Sequence, residues 1–205
     1  MTMMTMTITD PTQNNGQSRA KRLKATTSPV HAGVDSSIMS AASFATLDGY
    51  KRFLSIQYLF HRDVEALYAD ARLRDAFPDL ASRCRMARVI ADMDDLGLDL
   101  PAAEAPAFAL DTPADLGTAL GWLYVAEGSN MGAALLRKEA QKLALSDTYG
   151  ARHLAPAEAG PAPHWRAFTA ALDAVPLSEA EETKADAGAL AAFARVQAHI
   201  DAQLV

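Results

Sequence analysis

The sequence predicts an all-α bundle of six to eight helices. Three observations point there. Apolar residues recur at steps of three and four over most of the chain. Helix-start signals, a Ser, Thr or Asp beside Pro or Glu, precede those runs. Alternating strand patterns are nearly absent. A length of 205 residues, half of them hydrophobic, suits one domain with a sizeable core.

The elements follow in chain order. Residues 1–18 read as a disordered leader, Thr-, Met- and Asn-rich and without the apolar stretch of a signal peptide. The repetitive Met-Thr opening also fits a vector-derived start. Residues 19–205 then form the folded domain. Arg19, Lys21, Arg22 and Lys24 make a short basic stretch. Ser28-Pro29 reads as an N-cap with proline at the first helical position, opening a helix that carries Val30, His31, Val34, Asp35 and Ile38. A long helix covers about 48–70, where Phe53, Ile56, Leu59, Phe60, Val64, Leu67 and Tyr68 keep helical spacing. Pro78-Asp79 opens another that runs to Leu96 and is stopped by Gly97. Residues 98–111 form a loop. Thr112-Pro113-Ala-Asp115 starts a helix reaching about Leu145, long enough that a bend is expected at its glycines. After a loop over 150–162 comes a helix at about 164–174, and the Ser178–Glu181 capping box starts the last one.

Composition excludes several classes. A net charge of -6 and a pI near 5.3 do not suit nucleic-acid binding. The single cysteine, Cys84, rules out an internal disulfide and fits a reducing cytoplasm. No apolar run approaches the roughly 18 residues of a membrane span.

Candidate chemistry centres on two places. Gly128 and Gly132 sit four apart in a helical run, on one face. Each costs about 1 kcal/mol relative to alanine, so a bare face needs a reason. Either another helix packs closely there or a flat ligand lies against the backbone. Tyr124, one turn earlier, is a core aromatic or a hydroxyl at the pocket rim. The second place is His31 with Asp35 at i+4. The carboxylate can take the proton of one ring nitrogen and leave the other for a metal. The upstream basic residues attract carboxylates or phosphates.

Leu120-Gly-Trp-Leu-Tyr-Val-Ala-Glu-Gly-Ser-Asn-Met-Gly-Ala-Ala-Leu-Leu-Arg-Lys138 resembles the distal helix of bacterial haem oxygenases of the biliverdin-producing, pseudomonad and phytochrome-associated type. Lys21–Lys24 with His31 and Asp35, Phe53–Phe60, and Tyr149–Leu154 resemble the same family, so the likeness covers about 19–205. It implies a haem oxygenase-like bundle with a kinked distal helix. It makes His31 the axial ligand of haem iron, and Asp35 its hydrogen-bond partner in place of a glutamate, one methylene shorter, so that a water can bridge. Gly128, Ser129 and Gly132 would close over the haem, with Asn130 and Met131 touching the pocket. Phe193 would pack near the macrocycle edge. Lys24 and Tyr124 would hold the propionates. Haem is then both substrate and cofactor, cleaved with O2 and reducing equivalents from a ferredoxin or flavoprotein reductase to biliverdin, Fe2+ and CO. The product would feed a bilin-accepting phytochrome or accompany iron acquisition. Relatives that cut at β or δ carry a neutral residue at the place of Lys24 and a lysine at that of Glu139, so α cleavage is expected here.

The remaining features read as structural. His61, His153, His164 and His199 are expected at the surface or in loops, and Asp92, Asp94 and Asp95 on a solvated face. Cys84 is expected inside a helix, and Arg83, Arg85 and Arg88 on a surface that receives an acidic partner. The competing readings are a haem carrier or sensor, a helical hydrolase with Cys84 as nucleophile, and an interaction protein that packs another chain on Gly128 and Gly132.

Overall fold

The computed structural model describes residues 18–41 and 44–203. The expected leader, apart from Ser18, lies outside the described residues. Eight α-helices and no strands occur among the described residues. They are α1 (Arg19–Ala41), α2 (Leu47–Ala69), α3 (Ala71–Ala76), α4 (Leu80–Arg83), α5 (Met86–Asp95), α6 (Leu116–Lys142), α7 (Pro161–Ala174) and α8 (Glu179–Ala202). A 3-10 turn at Arg152–Leu154 separates α6 from α7. No described helix is long and apolar enough to cross a membrane.

α6 and α8 share the most extensive contact, and α8 also carries α1. Glycine makes the first contact close. A Cβ on Gly121 would strike the Ala185 carbonyl oxygen and stand 2.6 Å from the Ala189 nitrogen, and one on Gly117 would strike the Glu181 carbonyl. From the other side, a Cβ on Gly188 would stand 2.6 Å from the Thr118 oxygen. The two backbones therefore touch, and α8 sits in the groove that Gly117 and Gly121 open.

Local signals set several boundaries as expected. Ser178 accepts from the Glu181 amide while the Glu181 carboxylate accepts from the Ser178 amide at 2.8 Å, closing the capping box of α8. Gly97, at φ +63°, ends α5 with two reverse bonds, Leu98 N–H to Met93 O at 2.9 Å and Gly97 N–H to Asp94 O at 3.0 Å.

Other boundaries differ. α1 begins ten residues before Pro29 and runs through it. The Ser28 hydroxyl caps nothing and donates back to the Lys24 carbonyl at 2.6 Å. Helix is held upstream because Arg19 and Arg22 bind Glu182 at 2.7 and 2.6 Å, and Arg22 binds Asp186 at 3.0 Å, all on α8. The helix expected from Pro78 breaks at Cys84, which is extended at φ -58° and ψ 127°. α6 starts three residues later than expected, on an Asp115 cap that accepts from Thr118 N–H at 3.1 Å. Beyond that it is α-helical throughout, glycines included.

Three histidines expected at the surface are buried: His61, His153 and His199. His164 alone is partly exposed. Asp92 is fully buried rather than solvated and receives the His153 amide at 2.9 Å and its Nδ1 at 2.8 Å. Asp95 accepts from Gly150 N–H at 2.7 Å and pairs with Arg152, so only Asp94 keeps the role of a free surface acid. His199 and Arg195 of α8 both donate to Asp63 of α2, at 2.7 and 2.8 Å. The expected basic surface is largely absent, because Arg83 and Arg85 are buried and only Arg88 is exposed.

Burial, together with the nearby His153 and Arg85, lowers His61 to a pKa of about 3. Burial also lowers His153, against the pull of Asp92. The unfolded chain therefore binds more protons than the native one between about pH 3 and 6.5. Stability is complete above pH 6.5 and falls as the pH drops through that window, by up to about 1.4 kcal/mol per unit for each such group. Urea melts of His61→Gln from pH 7 to 4 should give a shallower slope than the parent; equal slopes would remove His61 as the cause.

Candidate functional site

The α6 glycines divide into two pairs with opposite surroundings. Gly117 and Gly121 are filled by α8, as above. Gly128 and Gly132 are not packed on any helix backbone. Among the described residues, a Cβ on Gly128 would meet only the Trp165 ring, at 3.6 Å, and one on Gly132 would meet nothing within 4 Å. Gly33 on α1 is equally open. Close helix packing thus explains the first pair and not the second. Beyond Gly128 the helix surfaces: Ser129, Met131, Gly132 and Leu135 are exposed, Leu135 by 67%. The Ser129 hydroxyl donates to the Ala126 carbonyl at 2.7 Å. Asn130, two residues from each glycine, lies nearly opposite their shared face by helical phase.

His31 stands exposed on α1. Its Nδ1 is 3.2 Å from Asp35 Oδ2, so the shorter carboxylate reaches the ring without a water. The Phe193 ring of α8 meets the imidazole edge-on, with centroids 5.4 Å apart and planes at 79°. This contact braces the ring, with Asp35 on its Nδ1 side. Val30 nearby is 39% exposed, continuing an apolar surface.

Lys24 and Tyr124 come together. They line one cleft of about 230 Å³ with Ser18, Ala20, Lys21, Trp165 and Thr169. Tyr124 is mostly buried, its ring 5.6 Å from Trp165 and its hydroxyl engaged with Thr27. Burial raises the phenol above its ordinary pKa, so it acts as a neutral hydrogen-bonding group. Trp165, which neighbours Gly128, connects this basic cleft to the bare helix face.

Behind the glycines lies a buried ionic cluster. The Glu127 carboxylate receives the Tyr68 hydroxyl at 2.8 Å and an Arg83 nitrogen at 2.9 Å. Burial raises its pKa despite both partners. Trp165 and Glu127 were not singled out in the sequence, and Lys21 was read only as part of the basic stretch. Glu127 had a signal, an acid inside an otherwise apolar helical run. Trp165 had only its place on a short amphipathic helix.

No group of three or more His, Cys, Asp or Glu side chains able to hold a metal ion occurs among the described residues. The polar groups and open surfaces described are instead one exposed imidazole, a bare glycine face on α6 and a basic cleft. That combination suits a metal already held in an apolar macrocycle with acidic substituents.

The sequence profile of the family described as Heme oxygenase matches residues 17–201. The chain belongs to the haem oxygenase family. It is 44% identical over 177 residues to heme oxygenase PigA of Pseudomonas aeruginosa, covering 86% of this chain and 88% of that one. Its fold matches that of the NO- and CO-bound heme oxygenase of Neisseria meningitidis with a TM-score of 0.85, at 42% identity and over 92% of each chain. Heme oxygenase from Leptospira interrogans shares the fold at a TM-score of 0.64 and 18% identity, over 90% of this chain and 98% of that one. The protein is an enzyme that degrades haem to biliverdin.

The two glycine pairs separate backbone packing from open space in this haem oxygenase. Gly121→Ala should cost about 1–3 kcal/mol in thermal or urea unfolding, because backbone must move. Gly132→Ala should leave the apoprotein as stable or raise it by about 1 kcal/mol. Equal losses at both positions would mean that Gly132 is packed after all.

Proposed function

We propose that haem lies between His31 of α1 and the main chain of α6 at Gly128–Gly132, and that residues 19–205 act as one cytoplasmic domain that cleaves it at the α-meso carbon. The observation that carries this reading is the open Cβ position at Gly132, on a helix whose first two glycines, Gly117 and Gly121, are tightly filled. The reaction takes O2 and electrons from an external ferredoxin or flavoprotein reductase, and releases biliverdin IXα, Fe2+ and CO. A bilin-accepting phytochrome is a fitting recipient for the product.

When bound, haem supplies the iron that takes up O2 and the meso carbon that is oxidised. The chain's own groups hold and orient it. Asp35 Oδ2 stands 3.2 Å from His31 Nδ1, where taking up its proton would fix the tautomer and raise the donor strength of Nε2 toward iron. Phe193 keeps the imidazole from turning. On the other side Gly128 and Gly132 bring main chain close while offering no acid or base. The Ser129 hydroxyl already donates to Ala126 and is left as an acceptor. Hydrogen bonding there would fall to water and backbone, leaving no side-chain acid at Gly128, Ser129 or Gly132 to promote O–O cleavage. Asn130 contributes through its backbone, while Met131, 42% exposed, supplies apolar contact.

Regiochemistry follows from the acidic substituents. Lys24 and Tyr124, with Lys21, give one basic cleft in which a propionate can sit. Glu139 is ion-paired to Lys142 at 2.6 Å, so its repulsion of a rotated haem is partly neutralised and Lys24 carries most of the selection. The hydrolase reading loses its nucleophile, because burial raises the Cys84 thiol away from thiolate.

Three measurements test the assignment. Hemin titrated into the full chain should give one-to-one binding with a Soret band that decays under ascorbate or a ferredoxin reductase system as biliverdin absorbance grows. His31→Ala should change the ferric spectrum and lower turnover at least tenfold; wild-type spectra and rates in that variant would exclude His31 as ligand. Chromatography of the biliverdin should show the α isomer from the parent and a mixture with β or δ from Lys24→Asn. Mainly β or δ product from the parent would reject the Lys24 argument.

A further inference from the structure

α6 arrives at Gly128 with every residue from Ala119 to Glu127 buried, and leaves it with Ser129, Met131, Gly132, Ala134 and Leu135 exposed. Glu127 is the last side chain embedded in the protein before the bare face and the only charged one in that run. The glycines themselves have nothing with which to lock the helix, and Trp165 is the only neighbour that a Gly128 Cβ would meet. A haem oxygenase whose distal contacts are main chain must therefore fix that main chain from behind.

Glu127 is built for this. One of its oxygens takes the Tyr68 hydroxyl of α2 at 2.8 Å and the other an Arg83 nitrogen of α4 at 2.9 Å. Arg83 continues to Asp79 at 2.7 Å, to the His164 carbonyl of α7 at 3.1 Å, and over the Phe168 ring at 5.6 Å. Three helices thus converge on one carboxylate, one residue before Gly128. Two donors on two different oxygens admit one rotation of the helix, whereas an apolar contact tolerates sliding. A buried ion pair is also poor as a source of stability alone, since apolar replacements of similar size often hold a fold equally well.

We propose that Glu127 is a positioning residue for haem cleavage, fixing the rotation and depth of α6 so that the Gly128–Gly132 backbone stands at one set place over the substrate. The proposal rests on the assignment of that backbone to the distal side.

The test is hydrogen exchange read by mass spectrometry on the full chain, with and without hemin, for Glu127→Gln and for the double variant Glu127→Leu with Arg83→Met. In both, amides of residues 128–135 should exchange at least tenfold faster while those of α2 and α8 keep parental rates. Hemin-loaded Glu127→Gln should also yield a broadened set of biliverdin isomers. Unchanged exchange at 128–135 overturns the proposal. So does acceleration by the same factor in α2, α6 and α8, or an isomer set that stays parental while exchange rises locally. Should the glutamine variant not fold, the double variant, which removes both buried charges and leaves only the half-exposed Asp79 without its arginine, carries the same readouts. Failure of the parent to bind hemin would instead remove the distal assignment and leave the exchange result standing.

Discussion

The backbone contact between α6 and α8 is the constraint on which the rest of the structure depends. Gly117, Gly121 and Gly188 remove the side chains that would hold the two helices apart. With the axes that close, α8 can serve both sides of the site. It presents Phe193 to the imidazole of α1, and it holds the first half of α6 so that the second half can run free of packing. One helix therefore carries two uses of the same residue type. Glycine early in α6 is filled by protein, and glycine late in α6 is left for something else.

Polar burial supplies the second layer of order. Asp63, Asp92 and Glu127 are each buried and each receive at least two donors from other elements. An acid left without partners at such depth would cost several kcal/mol, so these sites commit the bundle to one arrangement of its helices. They do so at three separate points: α2 to α8, α5 to the 3-10 turn, and α6 to α2 and α4. Hydrophobic spacing alone would permit the helices to slide past each other.

What could be read from the chain alone divides along that line. α2, the capping box of α8 and the Gly97 stop rest on interactions within a few residues, and were legible. His31 with Asp35, and the bareness of Gly128 and Gly132, are likewise local patterns. The buried histidines were not, because their partners are distant: His153 and Asp92 are 61 positions apart, and His199 and Asp63 are 136 apart. The run of Arg83, Arg85 and Arg88 looked like a basic surface for the same reason, since Glu127 lies 44 positions beyond Arg83. Pro29 misled in a different way. It is a good helix starter and a poor interior residue, but salt bridges from Arg19 and Arg22 to α8 extend the helix upstream of it.

That proline has a further consequence. It supplies no amide for the Ala25 carbonyl, so the helical ladder of α1 is thinned two residues before His31. Upstream of the gap, α1 is tied down by ions; downstream, Val34 and Ala41 are its only buried residues. In the proposed seating, haem beside His31 would add contact to this lightly buried half of α1, and by mass action the filled form would resist unfolding more than the empty one. Proteases that sample opened chains would then cut idle copies sooner than working ones, tying the enzyme's lifetime to the supply of what it consumes.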